Sequence, residues 1–252
     1  HHQAGFQKSP HYAHAQHDTL VAVLWQETSQ ISANIPLCFS QPSQTSPTQL
    51  VALQGLQANQ NLLIHPTSHK WLFGYIPSHY RGYPFALINE QDTARQVLCF
   101  DLDSQLLQDP VLTDGQAFYT KQGEPSPLLK NTLQFLTLRQ QGLQQTQTLV
   151  DQIVQADLLN PWTIQIETPD GQKTPLTGLL KVDETKLRAL PATTLQELVH
   201  SGAMALIYAQ LLSEARLVNL QKLWQAHTQM ANQPDELDLD TLFGEEDNSL
   251  KF

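Results

Sequence analysis

Basic residues are scarce in this chain: 14 Lys and Arg stand against 24 Asp and Glu in 252 residues, a net charge of −10. A protein that grips a phosphate backbone needs a basic face, and these 14 are scattered, which argues against nucleic acid and anionic membrane as partners. Long apolar runs are also missing. The best, "AMALIYAQLL" (203–212), is about half of the ~20 residues that span a bilayer and reads as a buried helix. Cysteine is down to two, Cys38 in "IPLCF" and Cys99 in "QVLCF". Both sit in strand-like apolar runs, which favours buried reduced thiols, with one disulfide as the alternative, and argues against a secreted disulfide scaffold. The first residues are polar and His-rich, without the apolar core of a signal peptide, so the cytoplasm is the expected location. The chain does not begin with Met, however, which is compatible with a removed leader, and His1 and His2 read equally well as a tag remnant.

Catalytic signatures are absent too. The chain has no G-x-S-x-G, glycine-rich phosphate loop, H-E-x-x-H, C-x-x-C or H-x-D/E step. "DLDSQ" (101–105) starts like a calcium loop but lacks the glycine at the sixth position and the distal Glu. No cofactor and no metal site are expected. Charged residues make up only 15% of the chain and hydrophobic ones 40%, the balance being Gln, Thr, Ser and Asn. That composition belongs with folded proteins, not with highly charged disordered ones.

What is present is ordered along the chain. Residues 1–19 form a polar arm with five histidines, of which His11, His14 and His17 recur every third residue. Metal ligation is one reading of that spacing; a solvated or loosely docked arm is the favoured one. From Leu20 to about residue 108 the texture is that of strands: "LVAVLW", "IPLCF", "LVALQGL", "NLLIH", "WLFGYI", "FALI" and "RQVLCFDL", separated by turn-prone pieces. No long crossover helix intervenes, so antiparallel pairing is predicted. His65 and His69, in "HPTSHK", read as turn residues.

Residues 127–230 are predicted to be helical with one inserted hairpin. Leu129, Leu133, Leu136, Leu143, Val150, Ile153 and Val154 mark a core-facing stripe, with Gly142 as a candidate break. Ile164 and Ile166 alternate with polar residues ahead of Pro169-Asp170-Gly171, a hairpin signal. Helices are then predicted from Asp183 to Leu190, stopped by Pro191, and from Thr194, with Glu197 completing a capping box. The fold class predicted is α+β, a single domain over 20–230 with a β-rich, antiparallel N-terminal half and a helical C-terminal half. Residues 231–252 form an acidic tail in which Leu239, Leu242, Phe243 and Phe252 are interleaved with carboxylates. Such a tail is either solvated or a docking peptide for a groove.

The most concentrated chemistry lies in "GYIPSHYRGYPFAL" (74–87), shortly after Trp71. Tyr75, His79, Tyr80, Arg81, Tyr83 and Phe85 are grouped between Pro77 and Pro84, which fix the backbone. Arg81 could grip a carboxylate or peptide against an aromatic wall, or it could pair with a structural carboxylate and shield an aromatic mini-core. The structural role is favoured, because ion pairs and stacked arginines commonly serve stability. His79 has the chemistry of a general base, though nothing adjacent in sequence activates it.

The order of these pieces resembles the SapC family, named after a surface-layer-associated protein of Gram-negative bacteria. "LVALQGL", "NLLI", Trp71, "GYIPSHYRGYPFAL" and "LCFDLD" carry the resemblance in the first half. "FYTKQGEPSPLL", "LLNPWTIQIETPDGQ", "GLLKVDETKLRALP" and "LVHSGAMALIYAQLLS" carry it in the second. Family members usually show paired arginines before Tyr-Pro-Phe, where this chain has Arg81-Gly82. Genes of the family often neighbour TonB-dependent receptors, flavin-dependent halogenase-like proteins and cupin-like proteins. The resemblance therefore implies an accessory or peptide-binding role in an envelope, surface-layer or uptake system. With no catalytic signature in the chain, the reading adopted is a non-enzymatic protein with a protein or peptide partner, compatible with homo-oligomers. The alternatives are an enzyme of unfamiliar type using His79, Tyr83 and Arg81 with an unidentified cofactor, and an assembling surface-layer component.

Overall fold

Strands come first along the chain and long helices last. The computed structural model describes residues 4–9, 11–43, 45–72, 74–90, 95–112, 115–167 and 172–232. It opens with strands β1 (Gly5–Phe6) and β2 (Leu20–Ala22), a single helical turn α1 (Thr28–Ile31), β3 (Leu37–Ser40) and β4 (Gln49–Leu53). A second single turn, α2 (Ser78–Arg81), precedes β5 (Phe85–Asn89), β6 (Gln96–Phe100), β7 (Leu107–Gln108) and β8 (Gln116–Ala117). The long helix α3 (Pro127–Gln155) leads to β9 (Leu159–Glu167) and β10 (Lys173–Val182). Four helices close the described chain: α4 (Glu184–Arg188), α5 (Ala192–Ser201), α6 (Ala203–Ser213) and α7 (Leu217–Asn232).

The chain is α+β and its strand pairs are antiparallel, as predicted. The two halves are nevertheless interleaved. The main sheet has the order β2-β4-β3-β10-β9, so the hairpin from the helical half completes a sheet begun by the N-terminal strands. Leu37, Cys38 and Phe39 of β3 are fully buried, which explains the continuous apolar run there. In β9 only alternate residues, Trp162, Ile164 and Ile166, are buried, as one covered face requires. The turn joining β9 and β10, with Pro169, Asp170 and Gly171, lies outside the described residues. Gln210 of α6 is buried where β3 and β10 diverge. Its Oε1 accepts from the Val182 N–H at 3.0 Å and its Nε2 donates to the Leu37 carbonyl at 3.5 Å, satisfying backbone groups that no strand partner reaches.

Several expectations need correction. The arm at 1–19 is built into the fold over its described part: β1 lies between β7 and β8, Phe6 is buried, and Ala15 belongs to the main core. Its histidines diverge, His14 stacking on Tyr83 while the His17 ring meets Gln16 and the Asn59 carbonyl. Among the described residues no group of three or more His, Cys, Asp or Glu could hold a metal. Among the described residues, "NLLIH" and "WLFGYI" contribute one isolated bridge, Ile64 to Trp71, and no strand. Helix α3 runs unbroken through Gly142, where a Cβ would stand 3.2 Å from Leu24 Cδ1 and Gln26 Oε1. The glycine is there for close approach and not as a break. The buried stripe of α3 includes Leu136, Gly142, Thr146, Leu149, Val150 and Ile153, whereas Leu133 and Val154 are exposed. Helix α5 begins at Ala192 after Pro191 and has no side-chain cap, so the capping box at Thr194 does not form. Both cysteines are free thiols, the favoured reading, but only Cys38 is buried and Cys99 is half-buried.

Candidate functional site

Glu27 organises the aromatic segment, and it does so from 51 positions away in sequence. This carboxylate is 3% exposed. Its Oε1 accepts from the Leu24 N–H and the Ser78 hydroxyl, both at 3.0 Å, and its Oε2 accepts from the Ser78 N–H at 2.9 Å. Arg81 Nη2 lies 3.8 Å from Oε2. Burying a carboxylate is costly unless such donors satisfy its oxygens, and here they also anchor the start of α2. Arg81 Nη2 further donates to the Tyr75 hydroxyl at 2.5 Å, and its guanidinium lies over the Tyr75 and Phe135 rings at 5.1 and 5.5 Å. The structural carboxylate considered for Arg81 thus has an identity.

The remaining members of the segment are divided between core and cleft. Tyr80 is buried and accepts a hydrogen bond from Gln54 Nε2 at 2.7 Å. Trp71 packs against Tyr80 and Tyr12 on the main core. Phe85 belongs to a second cluster, edge-on to Phe6 and Phe100 and close to Leu136. His79, Tyr80, Tyr83 and Phe85 come together along a cleft of about 590 Å³ that also involves His14, Asp18, Asp101 and Arg139. Trp71, Tyr75 and Arg81 do not line it. The tail residues Leu239, Leu242, Phe243 and Phe252 lie outside the described residues.

Nothing in the sequence points to Asp18 or Arg139, and His14 and Asp101 enter there only within readings as metal or calcium ligands. His14 stacks parallel on Tyr83 with ring centroids 3.7 Å apart. Its pKa is lowered, first by burial and then by His79 and His11, against the opposing pull of Asp18 and Asp101. Arg139 of α3 donates from Nη2 to His79 Nδ1 at 2.8 Å. Arginine can only donate, so Nδ1 is the acceptor and the proton of a neutral His79 sits on Nε2. Burial and then the Arg139 charge lower the His79 pKa, with Asp18 and Glu27 opposing. In that state His79 offers a hydrogen-bond donor to the cleft and no free lone pair for proton abstraction. Tyr83 is raised, by burial first and then by Asp101. Asp101 also caps the turn at Leu102–Ser104, and outside the cleft His65 Nδ1 accepts from the Thr67 and Ser68 N–H groups, closing a turn.

A wall of this cleft is β5, which pairs with β6 and, among the described residues, with no other strand. Phe85, Ala86 and Leu87 line the cleft from this side, and Leu136, Arg139, Gln140 and Leu143 from α3. A strand and a helix bounding one groove, with a guanidinium among its lining residues, is a geometry suited to an extended chain.

A sequence profile of the SapC family matches residues 1–220. The chain belongs to the SapC family. No curated protein and no solved structure matches it. The SapC match covers β1 through the start of α7, so both walls of the cleft and the Glu27 anchor lie inside the family region. Among the described residues no helix is long and apolar enough to cross a membrane.

Proposed function

We propose that this SapC-family protein is a non-enzymatic accessory protein that binds a segment of a partner protein, in a bacterial envelope, surface-layer or uptake system. The seat is the cleft between β5 and α3. The observation that carries this reading is the Arg139–His79 hydrogen bond: it occupies the imidazole lone pair and turns the strongest candidate base into a donor. Donors on one wall, a strand on another and stacked rings between them suit recognition of a peptide main chain better than bond making. The cleft is also within the size range of small-molecule and short-peptide sites.

Selection from a library of random octapeptides tests it. Peptides that bind the full chain are expected, and Ala86→Trp is expected to weaken them about tenfold or more by filling the groove from an exposed position on β5. An empty selection, or peptides that bind Ala86→Trp as tightly as the parent, would refute this assignment.

A further inference from the structure

Arg139 borders more than one space. A second cleft of about 400 Å³ lies between α3 and the segment around Leu24 and α2, and both Arg139 and Arg81 line it. No carboxylate is among its lining residues. Glu27 sits behind it, 3.8 Å from Arg81, so the two guanidinium groups lining the cleft stand against that one carboxylate; burial lowers the Arg139 pKa, and Glu27 opposes the shift. In a chain with 14 cations and 24 carboxylates, that local surplus of positive charge runs against the global balance.

The hydrogen-bond inventory points the same way. Each guanidinium carries five N–H groups. Among the described residues Arg139 gives one to His79 and Arg81 one to Tyr75, and the Arg139 Nε is buried without a partner. Gln145 also lines this cleft, and its Oε1 already accepts from Trp25 Nε1 at 3.3 Å and Gln26 Nε2 at 3.0 Å. What Gln145 has left to offer is its amide N–H₂. Beside these donors stand Phe135 and Leu138, the latter 58% exposed.

We propose that this second cleft binds a carboxylate carried on a short apolar body, held between the guanidinium groups of Arg81 and Arg139. Planar guanidinium matches planar carboxylate in two parallel hydrogen bonds. One surplus positive charge suits a monoanion; a phosphate dianion would face Glu27 with its charge only half balanced. The carboxylate can belong to a free small acid or to an acidic side chain of a partner. The site does not depend on the peptide-binding role of the first cleft.

Calorimetric titration of the full chain with four probes is the test: hexanoate, hexanamide, inorganic phosphate and acetyl-Leu-Glu-Leu-amide. Hexanoate is expected to bind with saturation and hexanamide not to bind. Binding of the peptide carboxylate alone also supports the seat and identifies its source as a partner side chain. Arg81→Gln and Arg139→Gln are each expected to weaken binding about tenfold. Leu138→Glu, at the exposed rim and harmless to the fold, is expected to abolish it by placing a competing carboxylate there. Hexanamide binding as tightly as hexanoate, phosphate binding more tightly than either carboxylate, or unchanged binding in Leu138→Glu overturns the proposal. So does loss of hexanoate binding in Ala86→Trp, which would move the anion into the first cleft. Unchanged hexanoate binding in that variant, beside failed peptide selection, would sink only the peptide reading.

Discussion

Replacing Glu27 by Ala should be among the most damaging single changes available in this protein. The carboxylate accepts from the Leu24 N–H, the Ser78 N–H and the Ser78 hydroxyl, and it faces Arg81. Alanine would leave two backbone donors and a hydroxyl buried without partners, at about 1–3 kcal/mol for each group that water cannot reach. Partial relaxation of α2 limits the total, so a loss of about 3–5 kcal/mol is expected, the range typical of breaking a buried charged network. Glu27→Gln keeps one acceptor oxygen, which can retain Leu24 and the Ser78 hydroxyl, but its N–H₂ would then face the Ser78 N–H. A cost of about 2 kcal/mol follows from that donor-to-donor contact. Arg81→Ala removes an ion-pair partner 3.8 Å away, the hydrogen bond to Tyr75 and the contacts over the Tyr75 and Phe135 rings, but all through a side chain that is 43% exposed, so it should cost no more than about 1–2 kcal/mol. Urea unfolding of the three variants, monitored by circular dichroism, gives the ranking. If Arg81→Ala proves as costly as Glu27→Ala, or Glu27→Gln is neutral, then the carboxylate is not the organiser of the segment.

Other outcomes can be stated more briefly. Gln210→Leu removes the partners of the Val182 N–H and the Leu37 carbonyl at the β3–β10 junction and should cost about 2–4 kcal/mol; equal urea midpoints for parent and variant would count against it. His14, His79 and His227 all have pKa values below the ordinary histidine value, chiefly through burial. The unfolded chain therefore binds more protons than the fold as pH drops below about 6.5, and stability should fall from there downward; a flat profile between pH 7 and pH 5 would contradict this. His79→Asn should reduce that slope, since the groups facing His79 (Arg139, Asp18, Glu27 and His14) stay in place. The two readings of the acidic tail are separated by deleting 234–252: a docking peptide through Leu239, Leu242, Phe243 and Phe252 predicts a changed melting temperature or peptide affinity, whereas a purely solvating tail predicts that both stay the same.

How much of this was legible in the sequence depended on the range of the interaction involved. β3 and β9 announced themselves because burial on two faces or on one writes a continuous or alternating pattern into adjacent residues. "NLLIH" carries the same apolar density, yet Leu62 and Leu63 are buried in a turn and Ile64 in an isolated bridge. Asn61 Oδ1 accepts from the Leu63 N–H there, a side-chain substitute for a strand partner that no local pattern reveals. Gly142 misled for the converse reason. Its helix cost of about 1 kcal/mol is local, while the close approach of Leu24 that offsets it is not.

The candidate sites were legible only by half, and the missing half is the one that decides their chemistry. Arg81 and His79 stood out because aromatic and proline neighbours surround them in sequence. Glu27 and Arg139, their actual partners, sit in "WQETSQ" and "LRQQG", where a glutamate or an arginine is unremarked filler on a polar helix face. Only the fold places one charge behind Ser78 and the other against the His79 ring. Without them, His79 reads as a general base and Arg81 as a free cation. With them, His79 becomes a donor to the cleft, and Arg81 becomes the ion-pair partner of a buried carboxylate. The aromatic segment holds Arg81 at one cleft and, through His79, meets Arg139 of α3 where two clefts adjoin, and titrating the cleft that both guanidinium groups line with a carboxylate probes that arrangement most directly.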